Sequence, residues 1–474
     1  MTRAPSPELL SALEALLGPK GFTDDADTMA PWLTDWRGKY HGAAAAMLSP
    51  ASTDEVSAIV RLCAEAGAAI VPQGGNSGMV GGATPDVSGT QFLLSMRRMN
   101  KIRSIGRDSG FAVVEAGVIL EHFHEAALAQ GLRFPLTLGG KGSATIGGLV
   151  STNAGGTQVL RHGTMRALVA GIEAVLPDGS VFHGLAPLKK DNRGYDLRHL
   201  LCGAEGTLGI ITAACLRLVP AAAARRTAWI GLKSPDDALL LLRQLDGAIG
   251  RELEGFEIVP HTCLDAVLRH VPQTRAPLGD HHPWYALVEL AGDNGDTLDT
   301  ALQAELAAAL DAQLIGDAAI AKSDRESEDF WRLRDSISEA ERAEGPAIQH
   351  DISVPVDLMP SFIADNAKRL ADTFPGVRAL SFGHLGDGNV HHHVQPPIDS
   401  DGAAWLAAHG QAASRLVYTH VIELGGSISA EHGIGQMKRD ILAELDSPAR
   451  LAALYGVKNG LDPKRLFNPG KLIA

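Results

Sequence analysis

The chain has 474 residues, 45% hydrophobic and 20% charged, and 42 Lys and Arg against 55 Asp and Glu leave a net charge of −13. This is ordinary globular composition, with room for two or three domains at roughly 150 residues each. An acidic chain with no Lys/Arg cluster argues against nucleic acid or an anionic membrane surface as the main partner, and no apolar run approaches the roughly 18 residues of a membrane span.

The first predicted element is a short amphipathic helix with Ser6 as N-cap, Pro7 at N1 and Gly18 near its end, within an N-terminal segment over 1–37. It lacks the basic and apolar regions of a secretory leader. Cys63, Cys202, Cys215 and Cys263 stand far apart with no CxxC pair, which fits reduced thiols. Both observations make the cytoplasm the expected location. Residues 38–219 read as one domain of short strands (92–95, 111–116, 171–176) separated by glycine loops, with helices over 53–66 and 120–130 and a turn at Pro177-Asp178-Gly179. The Ala-rich stretch 220–224 marks a boundary. Beyond it a strand over 227–233, a helix capped at Ser234-Pro235, strands near 256–259 and 284–290, and a helix over 297–310 predict an α+β sheet domain over 220–430 with helices on one face. Ser323-Asp324 caps a long helix running to about 344. The tail, 431–474, is helical and then ends in Leu466-Phe467-Asn468-Pro469-Gly470-Lys471.

Three glycine-rich segments carry the first chemical signal. Pro72-Gln73-Gly74-Gly75-Asn76-Ser77-Gly78-Met79 lets successive backbone N–H groups converge on an anion, as a phosphate nest does, and it lacks the Lys-Ser/Thr of a P-loop. The second runs over 134–156, and the third is Glu205-Gly206-Thr207-Leu208-Gly209-Ile210-Ile211-Thr212. So many glycines allow the backbone to approach a large planar ligand closely. The second signal is His384-Leu-Gly-Asp-Gly-Asn-Val-His391-His392-His393, followed by Glu431-His432. Two imidazoles and a carboxylate suit Zn²⁺ or another divalent metal and leave a coordination position open. Alone, that cluster also fits a zinc hydrolase, which would leave the glycine segments without a purpose.

Taken together, PQGGNSGMVGG, KGSATIGGLVSTNAGG, EGTLGIIT and FNPGK resemble the FAD-dependent 2-hydroxyacid dehydrogenases of the vanillyl-alcohol-oxidase type, in the branch of D-lactate and D-2-hydroxyglutarate dehydrogenases, from about Trp36 to Lys471. The resemblance implies an α+β fold with a two-part FAD-binding domain, a substrate (cap) domain with an antiparallel sheet, and a C-terminal helical segment returning to the flavin. It implies that Pro72, Gly74, Gly75, Asn76, Ser77, Gly78 and Met79 hold the FAD pyrophosphate. Leu138, Gly139, Ser143, Gly147, Gly148, Thr152, Asn153 and Gly155 would line the isoalloxazine and ribityl chain. Glu205, Gly206 and Ile211 would lie on the adenine side, and Asn468 would close the site. Relatives with covalent flavin often carry a His in the first loop; Asn76-Ser77 here implies non-covalent FAD.

The resemblance further implies that His384, His391 and Glu431 ligate the metal and that His432 is the general base. In a strand His392 points away from its neighbours, so it is read as structural. Arg334 and Ser338, four apart on the long helix, would clamp a substrate carboxylate; left to itself, Arg334 would pair with Asp335 or Glu341. The family commonly has Lys at Gln349 and Asn at His393, both facing the substrate, so these positions are where preference would differ. The implied reaction is oxidation of a D-2-hydroxy acid, first D-2-hydroxyglutarate and next D-lactate, with hydride passing to flavin N5. A glycolate-oxidase-type subunit is a further alternative. Electrons would leave to an acceptor such as an electron-transfer flavoprotein or a quinone, and a homodimer is expected. Glu431 and His432 can serve one site only where a turn near Gly433 bends the backbone.

Overall fold

Ser and Asp side chains start the helices where the sequence places them before apolar periodicity: Ser6 Oγ accepts from Leu9 N, Ser52 Oγ from Glu55 N and Ser234 Oγ from Asp237 N. The computed structural model describes residues 4–473, so the outermost ends of the predicted N-terminal segment and tail (1–3 and 474) lie outside the described residues. The chain divides into two compact units, Met1–Gly156 with His162–Ala221 and Glu431–Ala474, and Thr157–Arg161 with Ala222–Ala430.

The first unit contains two larger sheets and a two-stranded pairing of Leu132–Arg133 with Val219–Pro220. One has four strands in the order Phe22–Thr23, Ala46–Leu48, Phe92–Ser95, Ile70–Gln73, the last three mutually parallel. Helix Thr53–Ala66 makes the crossover that parallel strands require. The other is antiparallel, in the order Ile102–Gly106, Phe111–Glu115, Ile210–Arg217, Val169–Val175, Val181–Gly184. The tail rejoins the parallel sheet: Ile70 N donates to Leu466 O at 2.8 Å and Asn468 N to Ile70 O at 2.8 Å. That pairing brings the Phe467-Asn468 segment alongside the strand that leads into the first glycine loop.

The second unit is built on a seven-stranded antiparallel sheet, ordered Asp317–Ile320, Ala224–Leu232, Trp284–Gly292, Leu253–Pro260, Arg378–His384, Asn389–Gln395, Ile348–Ser353. Helices cover both of its faces, which corrects the one-face expectation. Helices His261–His270, Asp324–Asp335 and Ile337–Glu344 pack on the face of Trp229, Leu287 and Phe382. Helices Pro235–Ile249 and Gly295–Asp311 pack against strands of the same sheet with Leu241, Leu245, Leu302 and Leu306 buried. The reason is visible in Leu253–Pro260, which is buried along its whole length and therefore needs cover on both sides. The long helix predicted from Asp324 is two helices. It stops at Asp335, where Ser336 takes ψ −3 and its N–H turns to Arg332 O and Arg334 O, and a second helix begins at Ile337. A tightened last turn at a serine, a weak helix former, ends the first piece.

Candidate active site

In the first unit the glycine segments converge. A Cβ on Gly75 would stand 1.7 Å from Ser143 O, and one on Gly74 would stand 2.1 Å from Thr145 Oγ1, so the first loop lies directly against the second segment. Among the described residues the N–H groups of Gly75 to Met79 have no protein acceptor. Asn76 takes φ 54, and its Nδ2 holds Thr34 O at 2.8 Å. Helix Ile146–Thr152 contains Gly147, Gly148 and Thr152 and ends on Asn153 at φ 50, whose Oδ1 accepts from Arg166 N at 2.9 Å. Leu138 and Gly139 precede it in an irregular loop, Ser143 is exposed, and Gly155 is buried. Three buried oxygens, Gln73 Oε1, Thr145 Oγ1 and Asn468 Oδ1, have no hydrogen-bond partner among the described residues. Unspent amides and orphaned buried oxygens in one glycine-lined place fit a ligand with phosphates and hydrogen-bonding edges.

Glu205 has a further role that the motif did not reveal. Its carboxylate accepts from Ile434 N and Gly435 N, both at 2.7 Å, while Asn468 Nδ2 donates to Glu205 O at 2.7 Å and Gly82 O at 2.9 Å. Burial raises the Glu205 carboxyl, against the lowering effect of those two N–H groups. Gly206 (φ +70) sits over Pro72, and Ile211 is buried in the strand Ile210–Arg217 within a hydrophobic cluster. Glu205 thus anchors the loop that follows Glu431-His432. That loop bends as the shared role of these two residues requires: Gly433 takes φ +80, a conformation that favours glycine, and one ligand atom each of Glu431 and His432 lie within 4.8 Å of one another.

In the second unit, strand register decides which side chains meet. Glu257 pairs with His384, His384 with Asn389, Phe382 and Asp351 with His391, and Leu380 and Gln349 with His393. Cross-strand partners share a face and residues two apart keep it. One face therefore carries Glu257, His384, Asn389, Asp351, His391, Gln349 and His393. The His384 and His391 rings stand 5.5 Å apart between centroids, and a nitrogen of each lies within 4.8 Å of the other.

Glu257 is the hinge of this cluster and was not legible from sequence. It is fully buried, accepts from Arg334 Nε at 2.8 Å, and hydrogen-bonds His384 Nδ1. Burial by itself would raise its pKa; Arg334 and His384 overcome that and hold it at about 2. The carboxylate therefore fixes the proton of His384 on Nδ1 and leaves Nε2, 3.4 Å from Arg334 Nη2, as the electron-pair donor. His391 is pushed well below the ordinary histidine value, first by burial and then by Arg334 and His384, so it stands neutral, as a metal ligand must. Asp351 and Asn389 are bonded at 3.0 Å beside it. Arg334 thus pairs with Glu257 rather than Glu341, whose carboxylate hydrogen-bonds His393 Nδ1. His393 is 4% exposed, and its Glu341 partner is buried too, so His393 is not a free imidazole awaiting a carboxylate. Ser338 is exposed and lies on the second helix, past the break at Ser336, so it and Arg334 do not share one continuous helix. His392 lies on the opposite face, held by Asn366 Nδ2 and Ser381 Oγ, each at 2.8 Å, in keeping with a structural role.

A family model described as an FAD binding domain matches residues 44–184, and one described as the C-terminal domain of FAD linked oxidases matches 221–472. The chain belongs to the FAD-linked oxidases. Among relatives of this FAD-linked oxidase, a mitochondrial D-2-hydroxyglutarate dehydrogenase of Arabidopsis thaliana is 36% identical over 98% of the chain and 81% of the relative. A D-2-hydroxyglutarate dehydrogenase of Xanthomonas citri pv. viticola is 36% identical over 98% and 97%. The fold is of the vanillyl-alcohol-oxidase type, and the crystal structure of p-cresol methylhydroxylase with substrate bound superimposes with a TM-score of 0.75 at 15% identity, covering 98% of this chain and 96% of that one. FAD is the cofactor of this FAD-linked oxidase, and the FAD-binding match over 44–184 spans the first two glycine segments. It is a dehydrogenase acting on a CH–OH donor.

Among the described residues no helix is long and apolar enough to cross a membrane. Sequence reasoning missed Glu257, Asp351 and Asn389, and it offered Glu341 to Arg334 where the structure gives it to His393. The signal for Glu257 and Asp351 is the register of Leu253–Pro260 and Ile348–Ser353 against the histidine strands, which motif spacing does not carry, and Glu341 comes from the helix Ile337–Glu344.

Proposed function

We propose that this FAD-linked oxidase converts D-2-hydroxyglutarate to the 2-oxo acid. The observation that carries the substrate is the near-full-length kinship with the two D-2-hydroxyglutarate dehydrogenases. FAD, when bound, supplies the hydride acceptor. His384, His391 and Glu431 are the residues that would hold a divalent cation, and their donor set of two imidazoles and a carboxylate fits Zn²⁺. A bound cation there supplies Lewis acidity toward the substrate hydroxyl.

The chain's own residues do the rest. Arg334, its Nε held by Glu257, is the cation that meets the substrate carboxylate. Glu257 keeps His384 in one tautomer. His432 takes the hydroxyl proton at a ring nitrogen, a step worth about 10²–10⁴-fold. Gln349, paired with His393 across the strands, contacts the distal group, and Glu341 holds His393 behind it. The acceptor for the electrons is a flavoprotein or quinone, the enzyme works as a homodimer, and its four buried free thiols suit a reducing compartment such as the cytoplasm.

Steady-state kcat/KM over a panel of D-2-hydroxy acids tests the substrate. D-2-hydroxyglutarate is expected to lead, and a preference for D-lactate overturns that assignment. His432→Ala is expected to lower kcat by about 10²–10⁴-fold with flavin retained, and an unchanged kcat removes His432 as the base. Chelation is expected to abolish turnover and leave the protein yellow.

A further inference from the structure

The loop between helix His261–His270 and strand Trp284–Gly292 carries two adjacent imidazoles that the reaction does not use. His282 is turned inward, its ring against Gly231 and Gly316 and edge-on to Tyr285 at 6.0 Å. His281 is exposed and points the other way, as neighbours in an extended segment do. Its ring meets that of His261 edge-on, centroids 4.7 Å apart at 67°. Its Nε2 stands 3.9 Å from Asp265 Oδ2. His261 and Asp265 are four apart on one helix and so share a face. One ligand atom from each of His261, Asp265 and His281 lies within 4.8 Å of the other two.

The proton on His261 is also settled by its surroundings. His261 Nδ1 lies 3.3 Å from Pro283 O, and a carbonyl oxygen can only accept, so Nδ1 carries the hydrogen and Nε2 keeps its lone pair. A ring N–H spent on a backbone carbonyl is the orientation that metal-binding histidines adopt. The loop end is fixed at the same point: His261 N donates to Pro283 O at 3.0 Å, and Pro260 pairs with Trp284 across the sheet.

We propose that His261, Asp265 and His281 form a second metal site, separate from His384 and His391, for a first-row divalent cation such as Zn²⁺, with water completing the coordination. Two imidazoles and one carboxylate are borderline donors suited to that class. Donors around a tetrahedral ion with bonds of about 2.0–2.1 Å stand roughly 3.3 Å apart. The 3.9 Å spacing of His281 and Asp265 closes to that by rotation of the exposed His281 side chain. The ion would clip the segment 271–283 onto the helix, joining two donors of one helical face to one from the loop. The inference does not depend on which substrate the enzyme oxidises.

The test is metal counting on the purified flavoenzyme after dialysis against Zn²⁺, repeated with Co²⁺ to read the coordination spectrum. His281→Ala and Asp265→Asn are each expected to lose one tightly held ion per chain relative to the parent, with kcat unchanged and the Co²⁺ ligand-field band reduced. His384→Ala is expected to keep that ion, which separates this site from the proposed catalytic one whether or not the latter binds metal. Equal metal counts and identical Co²⁺ spectra for the parent and both loop-site variants would overturn the proposal.

Discussion

In the first unit the groups offered to a ligand are main-chain N–H groups between Gly75 and Met79, whereas in the second they are side chains delivered by four strands and a helix. The two solutions suit different ligands. A nest of amides neutralises phosphates without titrating and is positioned by close backbone contacts, such as Gly75 against Ser143. The sheet face of the second unit gathers His384, His391, Glu257, Asp351 and Arg334, most of them buried, where each charge must be answered by another. Backbone sites fail by crowding; side-chain sites fail by losing a partner.

The largest effect is expected from crowding. Gly75→Ala puts a methyl group 1.7 Å from Ser143 O, so the loop must move and the purified protein should lack flavin absorption and activity. A yellow, active variant would break the view that this backbone contact shapes the cradle. Next is Glu257→Gln, which leaves Arg334 without its buried carboxylate. Loss of one partner of a buried pair costs about 3–5 kcal/mol, and loss of a group that orients a metal ligand costs about 10–100-fold in metal affinity. Denaturant unfolding and metal titration read the two effects, with flavin content unchanged.

The same carboxylate predicts a pH effect. Its folded value of about 2 lies below the ordinary 4.5. A depressed carboxylate adds stability above pH 4.5 that is lost as pH falls from 4.5 toward 2, at about 1.4 kcal/mol per unit. Urea midpoints measured across that window should fall more steeply for the parent than for Glu257→Gln; parallel slopes would place the acid sensitivity elsewhere. The smallest effect is expected on the opposite face. Asn366→Ala removes the Nδ2 contact to His392, 2.8 Å long and buried, at a cost of about 1–3 kcal/mol in stability with kcat/KM unchanged.

Much of the fold was legible because local signals agreed with it. The caps at Ser6, Ser52 and Ser234 and the turn at Gly179 sit where residue type alone puts them. The break at Ser336 was not legible, because helical periodicity continues through it. The helices on both sheet faces were missed because a strand such as Leu253–Pro260 reveals that it is buried, not what buries it.

By itself the sequence determined the cofactor class, since the glycine loops are contiguous and their chemistry is local. Tertiary structure decided which partners the histidines and Arg334 have. Glu257 lies 127 positions from His384, and Glu341 lies 52 from His393. Only strand register and helix packing bring such residues together, and with them the tautomer of His384, the tether on Arg334 and the buried pairing of His393. Contacts of that kind depend on which face of a sheet a residue occupies, and one residue of register would reverse every one of them.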